Sequence, residues 1–363
     1  MRPAGSPRRG FFFQHDPRIR YHIPLGLYAT WMDRWETRLA NHDQDRLIHP
    51  FDWGLNWLDL PRNGDPGRQL GEFVAGAVAE SDRFFSYRSP AGFEFENGSL
   101  RFPSAIVSPH PENNTVHAQY FPCPHAKARA VLVLPQWNAD QQSHLGLCRL
   151  LNRFGLSALR MSLAYHDRRK PPETRRADYH VSSNLGRTIQ ATRQSVVDAR
   201  SCLDWLESRG YRRLAILGTS LGSCVAFLTA AHDSRIRTGV FNHVSMYFSD
   251  VVWTGLSCRH IQETLHPSLE PDELRRYWSV ISPATYLERL RGREMESLII
   301  WGRYDTTFRP EYSRQVIETL RRVEARFEEV ILPCGHYTSG RFPFNWLDGL
   351  AMCRFLKRRL PIN

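Results

Sequence analysis

The chain has 363 residues, 42% hydrophobic and 23% charged, a balance that excludes a collagen, a coiled coil or a wholly disordered chain and leaves room for a large core. Its longest apolar runs, such as residues 130–135, fall far short of the roughly 20 residues of a membrane-spanning helix. The net charge is +11, but only Lys127, Lys170 and Lys357 are lysines. The rest of the positive charge is arginine interleaved with acids, as in Glu36-Thr37-Arg38, rather than the basic stripe of a nucleic-acid binder, and no nucleic-acid partner is expected.

Seven dispersed cysteines, none in a C-x-x-C pair, argue against a disulfide framework or a zinc ribbon. The start of the chain reaches Phe11-Phe12-Phe13 and then turns polar at Gln14-His15-Asp16, too short an apolar stretch for an export signal. A cytoplasmic, reducing setting is the expectation. Phe11 to Phe13 with Arg8, Arg9 and Arg18 offer an alternative, peripheral contact with a membrane.

In chain order, residues 1–90 read as an extension packed on the main domain, with a helix over 70–82 in which Leu70, Phe73, Val74 and Val78 recur at helical spacing. Short β-rich pieces follow at 93–95, 101–107 and 115–121, punctuated by Asn97-Gly98 and Pro111. From residue 130 strands and helices alternate: a strand at 130–134, a helix at 142–154, a strand at 157–163, a helix at 186–209 and a strand at 214–217. Further strands at 238–243, 297–301 and 329–332 and a closing helix at 345–358 complete the pattern. Such repeated units imply an α/β domain over 91–363, a mostly parallel sheet of eight strands with helices on both faces. Residues 245–292, with helices expected at 252–263 and 272–278, interrupt the alternation and read as a lid.

The strand at 214–217 runs into Gly218-Thr219-Ser220-Leu221-Gly222 and then a small-residue helix. The bare G-x-S-x-G pattern is weak, but a strand, a turn and a helix around it form the setting in which a serine is lifted off a sheet edge as a nucleophile. A serine hydroxyl needs a base and an orienting acid to react. Asp305, in Gly302-Arg303-Tyr304-Asp305, and His336, in Pro333-Cys334-Gly335-His336, follow two later strands and open onto the same sheet edge, with Asp250 as the rival acid. No H-E-x-x-H, no Cys/His set at ligand spacing, no Walker loop and no convincing G-x-G-x-x-G is present, so neither a metal nor another cofactor is expected.

The three signatures at 218–222, 301–305 and 335–336 resemble those of the α/β-hydrolase superfamily, a likeness covering about residues 93–360. Tyr165-His166-Asp167-Arg168-Arg169-Lys170-Pro171, Asp204-Trp205-Leu206-Glu207 and Gly335-His336-Tyr337 more narrowly resemble the α/β-hydrolase-domain proteins numbered eighteen. The resemblance implies an α/β-hydrolase fold with a small helical lid and a serine hydrolase of esterase or lipase type acting on a small-molecule or lipid ester. Superfamily members often carry His-Gly after the third strand, whereas this chain reads Leu134-Pro135-Gln136-Trp137-Asn138. An oxyanion hole built of backbone N–H groups tolerates that change, with Leu221 and Trp137 as the expected donors.

The run Arg168, Arg169, Lys170, closed by Arg175-Arg176, is placed at the catalytic edge, where it is either a solvated loop or a clamp for an anionic substrate group. The expected chemistry is attack of Ser220 on an ester, thioester or activated amide carbonyl, with His336 as base and Asp305 as its orienting acid. Acyl transfer to an alcohol, or a catalytically silent fold serving as a binding module, are the alternatives. Oligomeric state, acyl-chain length and leaving group are not written in the sequence.

Overall fold

The computed structural model describes residues 25–42 and 46–361, so Phe11 to Phe13 lie outside the described residues. The first elements are α1 (Leu25–Ala40), α2 (Pro66–Ala79) and α3 (Ser81–Phe84). α2 starts earlier than the apolar spacing suggested because Asp65 caps it, its carboxylate accepting the Arg68 N–H at 2.6 Å, with Pro66 at the first helical position. α1 lies in the stretch that the sequence reads only as an extension.

A nine-stranded sheet forms the centre, in the order β1-β2-β3-β5-β4-β6-β7-β8-β9. The nine strands correspond to the nine β pieces read from the sequence, one more than the eight expected for the sheet; the three-residue β1 (Glu94–Glu96) folds onto β2 (Ser99–Pro103) through Asn97-Gly98, whose φ angles of 49° and 78° suit a tight hairpin. β3 (Thr115–Phe121) is antiparallel to both its neighbours, whereas β4 (Arg129–Leu134), β5 (Ser157–Met161), β6 (Arg213–Thr219), β7 (Ile236–Asn242), β8 (Glu296–Gly302) and β9 (Arg326–Leu332) run parallel.

Alternation of side chains along these strands divides the core into two layers. On β4, Ala130, Leu132 and Leu134 join one apolar cluster while Val131 and Val133 join the other. The first layer packs under α5 (Leu185–Ser208) and α6 (Leu221–His232). The second packs under α4 (Leu145–Arg153), Met32 of α1 and the closing helix, which runs from Phe344 to Arg359. Burial of both sheet faces is why β4 reads as an unbroken apolar run.

Between β7 and β8 lie α7 (Phe248–Thr254), α8 (Arg259–Leu265) and α9 (Pro271–Tyr277). The single helix expected over 252–263 is broken at Gly255, where a Cβ would meet the Val251 carbonyl oxygen at 2.5 Å and that of Thr307 at 3.1 Å. α10 (Pro310–Arg322) and α11, the closing helix, complete the fold. Residues 51–58 pack on α5: the Asp52 N–H donates to the Ser183 carbonyl, and Gly186 approaches Gly54 so closely that a Cβ there would lie 2.0 Å from the Gly54 oxygen.

Candidate active site

Where β4 meets β6, chain connections leave in opposite directions and open a crevice at the carboxyl ends of the strands. The turn after β6 is forced into a tight shape. A Cβ on Gly218 would lie 2.1 Å from the Gly222 oxygen, and one on Gly222 would lie 2.2 Å from the Leu134 oxygen and 2.4 Å from that of Pro135. Ser220 takes φ 57° and ψ −121°, a conformation costing a non-glycine residue about 1–3 kcal/mol. Surrounding bonds hold it there: the Ser220 N–H donates to the Asn242 oxygen at 2.8 Å, and the Ser223 hydroxyl donates to the Ser220 oxygen at 2.6 Å.

The hydroxyl so presented meets an imidazole. Ser220 Oγ lies 3.2 Å from His336 Nε2, and His336 Nδ1 lies 3.2 Å from Asp305 Oδ2. Asp305 is buried, and its other oxygen accepts the N–H groups of Thr307 at 2.8 Å and Phe308 at 2.6 Å. The rival Asp250 is occupied elsewhere, paired through both oxygens with Arg275 of α9 at 2.6 and 2.8 Å.

Burial pushes the Asp305 carboxyl up, but the His336 charge and hydrogen bonds from His243 and His336 outweigh it and hold the group well below the usual carboxylate range. Burial lowers His336, yet the Asp305 charge, the hydrogen bond to Asp305 and the Glu36 charge together raise it above an ordinary imidazole. The two directions agree: the Asp305–His336 pair favours carboxylate and imidazolium together.

Four contributors carried no motif. His243, at the end of β7, donates its Nδ1–H to Asp305 Oδ2 at 2.7 Å. Thr307 and Phe308 fix Asp305, and the Phe308 ring stacks on His336 with centroids 5.3 Å apart. Glu36 of α1, fully buried, accepts N–H groups from the two residues after His336.

His243, Asp305 and His336 also form the one cluster among the described residues whose ligand-type atoms fall within 4.8 Å of one another in a metal-compatible group. The hydrogen bonds to Asp305 Oδ2 already engage both Nδ1 atoms.

The site opens on two sides. A cleft of about 710 Å³ is lined by Trp137, His144, Arg153, Arg176, Asp348 and Trp346 among others. A small apolar recess of about 50 Å³ lies beneath α7 and the turn at Ser257 and Cys258, walled by Leu221, Cys224, Phe248, Val252 and Phe308. Trp137 borders both. Its indole N–H donates to the Ala177 oxygen at 3.0 Å, and the ring stacks on His260.

The basic run, read as either a solvated loop or an anion clamp, stands apart from the cleft. Arg169 is fully buried, ion-paired with Asp198 at 2.8 Å and donating to the Asn113 and Ser162 carbonyls. Arg168 is exposed beside Gln141 at 3.5 Å, and Lys170 donates to the Arg175 oxygen at 2.6 Å. None of the three is among the residues that line the cleft. Arg176 and Arg153 are the arginines at the cleft wall.

Fold and crevice define an α/β-hydrolase-fold protein. Residues 141–291 match the family described as Alpha/beta hydrolase domain containing 18, and the chain is similar to that family over this stretch, which holds Ser220 and ends before Asp305. No curated protein matches the chain.

Among solved structures, acetyl xylan esterase 1 from Thermoanaerobacterium sp. JW/SL YS485 superposes with a TM-score of 0.56 at 16% identity, over 80% of this chain and 94% of that one. Acetyl xylan esterase from Paenibacillus sp. R4 gives 0.55 at 14% identity, over 89% and 98%. The Pyrococcus horikoshii acylaminoacyl peptidase gives 0.57 at 14% identity, over 74% of this chain but 42% of its own. Likeness at these identities is a likeness of fold, and chemistry must be argued from the site.

Proposed function

We propose that the protein is a serine hydrolase that cleaves a carboxylic ester through an acyl-enzyme on Ser220. The observation that carries this reading is the continuous line from Ser220 Oγ through His336 to Asp305, at 3.2 Å in each step. His336 Nε2 takes the hydroxyl proton as Ser220 attacks the carbonyl, then gives it to the leaving alcohol. Asp305 fixes the imidazole by Nδ1 and stabilises the imidazolium that forms.

The oxyanion falls to the Leu221 N–H, at the amino terminus of α6 where helix N–H groups have no partner within the helix, together with the Trp137 N–H across the crevice. Water, activated by the same imidazole, then releases the acid. The esterase and peptidase neighbours support hydrolysis of acyl bonds as the class of reaction.

A panel of nitrophenyl esters of increasing chain length tests the reading. Turnover by the wild type that disappears in Ser220→Ala supports it. Equal background rates in both proteins, with each folded, would contradict it.

A further inference from the structure

α1 presents three side chains at intervals of four, Tyr28, Met32 and Glu36, to one short segment of chain around His336. The Tyr28 hydroxyl donates to the Pro333 oxygen at 2.5 Å. Met32 is fully buried, its sulfur 3.5 Å from the Thr338 hydroxyl, which itself accepts the Gly335 N–H at 2.8 Å. Glu36, one turn further on, makes the most contacts. One carboxylate oxygen accepts the Thr338 N–H at 2.7 Å; the other accepts the Tyr337 N–H at 3.1 Å and the Thr306 hydroxyl at 3.2 Å.

Those donors flank the two groups that polarise Ser220. Tyr337 and Thr338 follow His336 directly, and Thr306 follows Asp305. Gly335 has no room for a side chain, since a Cβ would lie 2.3 Å from Glu36 Cδ. A buried carboxylate is costly unless its oxygens are satisfied, and three donors from two loops do that here.

We propose that Glu36 is a positioning residue of the site: its carboxylate clamps the loop carrying His336 to the loop carrying Asp305, from a helix outside the family match. This rests on the serine-hydrolase reading for its consequence in catalysis, but the clamp itself can be measured without turnover. Charge adds to geometry, because a buried negative group beside His336 favours the imidazolium. The other titratable groups facing this corner are Asp305, His243 and Tyr337 on the imidazole side and Tyr28, Cys334 and Asp348 behind the loop.

Glu36→Gln keeps the volume, removes the charge and turns one acceptor into a donor facing N–H groups. Glu36→Asp keeps the charge and shortens the reach. The test is the pH titration of the His336 imidazole by NMR in the full chain, the signal assigned with His336→Ala, beside the rate of labelling by a fluorophosphonate.

The expected result is a titration midpoint lowered by about half a unit or more in Glu36→Gln and little moved in Glu36→Asp. Both variants should label roughly tenfold or more slowly than wild type. A melting temperature measured alongside separates unfolding from mispositioning.

A midpoint unchanged in folded Glu36→Gln overturns the proposal, whatever happens to the labelling rate. A midpoint that moves while wild type fails to label at Ser220 leaves the clamp standing and removes the hydrolase reading instead.

Discussion

His243 Nδ1 lies 2.7 Å from the same Asp305 oxygen that His336 Nδ1 reaches at 3.2 Å, so two imidazoles share one buried acceptor. The two rings meet edge to face with centroids 5.0 Å apart. Asp305 is thus held by four donors, two backbone N–H groups and two imidazoles. Removing His243 strips one charge-assisted bond from a buried carboxylate, while His336 keeps its own. His243→Gln is expected to slow ester turnover about tenfold, whereas His336→Ala should abolish it. A stopped assay with both variants at equal folded concentration checks this, and equal losses would mean that His243 does more than support Asp305.

The raised pKa of His336 sets a pH dependence. A general base must be unprotonated, so a folded-state value above 6.5 moves the acidic limb of kcat/KM to higher pH. The expected midpoint lies above that of free imidazole in a pH–rate profile of the free enzyme. A limb centred below 6.5 would contradict the ion-pair environment described for Asp305 and His336.

Asp348, at the base of the larger cleft, is pushed up to about 7 by burial, against the lowering effects of the His243 charge and the Asn242 hydrogen bond at 2.7 Å. Its folded-state value exceeds the unfolded one. Protonation is therefore favoured by folding, and the contribution to stability is complete below pH 3.8 and lost as pH rises towards 7. Asp348→Asn removes that dependence. Relative to wild type it should gain up to about 4 kcal/mol of unfolding free energy between pH 4 and pH 8. Urea melts of both proteins at the two pH values measure the difference, and a constant offset would show that Asp348 stays ionised throughout.

Arg169 and Asp198 make a fully buried pair, which is a structural role and not a substrate contact. Breaking one side leaves an uncompensated charge in the interior, so Arg169→Met should cost about 3–5 kcal/mol. Arg168→Ala, at the exposed neighbour, should stay within about 0.5 kcal/mol. Denaturant unfolding of the two variants separates them, and similar small costs would mean that Arg169 is reachable by solvent after all.

Gly222→Ala is the sharpest test of the turn. Its Cβ would fall 2.2 Å from the Leu134 oxygen, and backbone cannot rotate away as a side chain can. The change should push α6 off the loop carrying Trp137, cost about 3 kcal/mol and remove ester turnover. Retained turnover at wild-type rates would argue that the crevice is wider than described.

What the sequence revealed and what it concealed follow from distance along the chain. The turn at Ser220 and the loops at Asp305 and His336 each announce themselves within a few residues, through glycines and the strand before them. Glu36 does not, because its bond to Thr338 spans 302 positions. In the sequence it looked like one more acid among arginines. α1 could have been found from Tyr28, Met32, Trp35 and Leu39, whose spacing is helical, but the surrounding charges masked it. His243 ends a strand as many residues do, and only the sheet brings it to Asp305. Arg169 misled for the opposite reason: a run of three basic residues reads as surface, and nothing local says that its middle member turns inward to Asp198.

An activated Ser220 is read out by mapping the adduct that a fluorophosphonate forms on the folded full-length protein by peptide mass spectrometry, with His336→Ala as the companion. A single modified residue, Ser220, is expected in the wild type and none in His336→Ala. Wild-type protein that remains unmodified, or an adduct on any other residue, would contradict it.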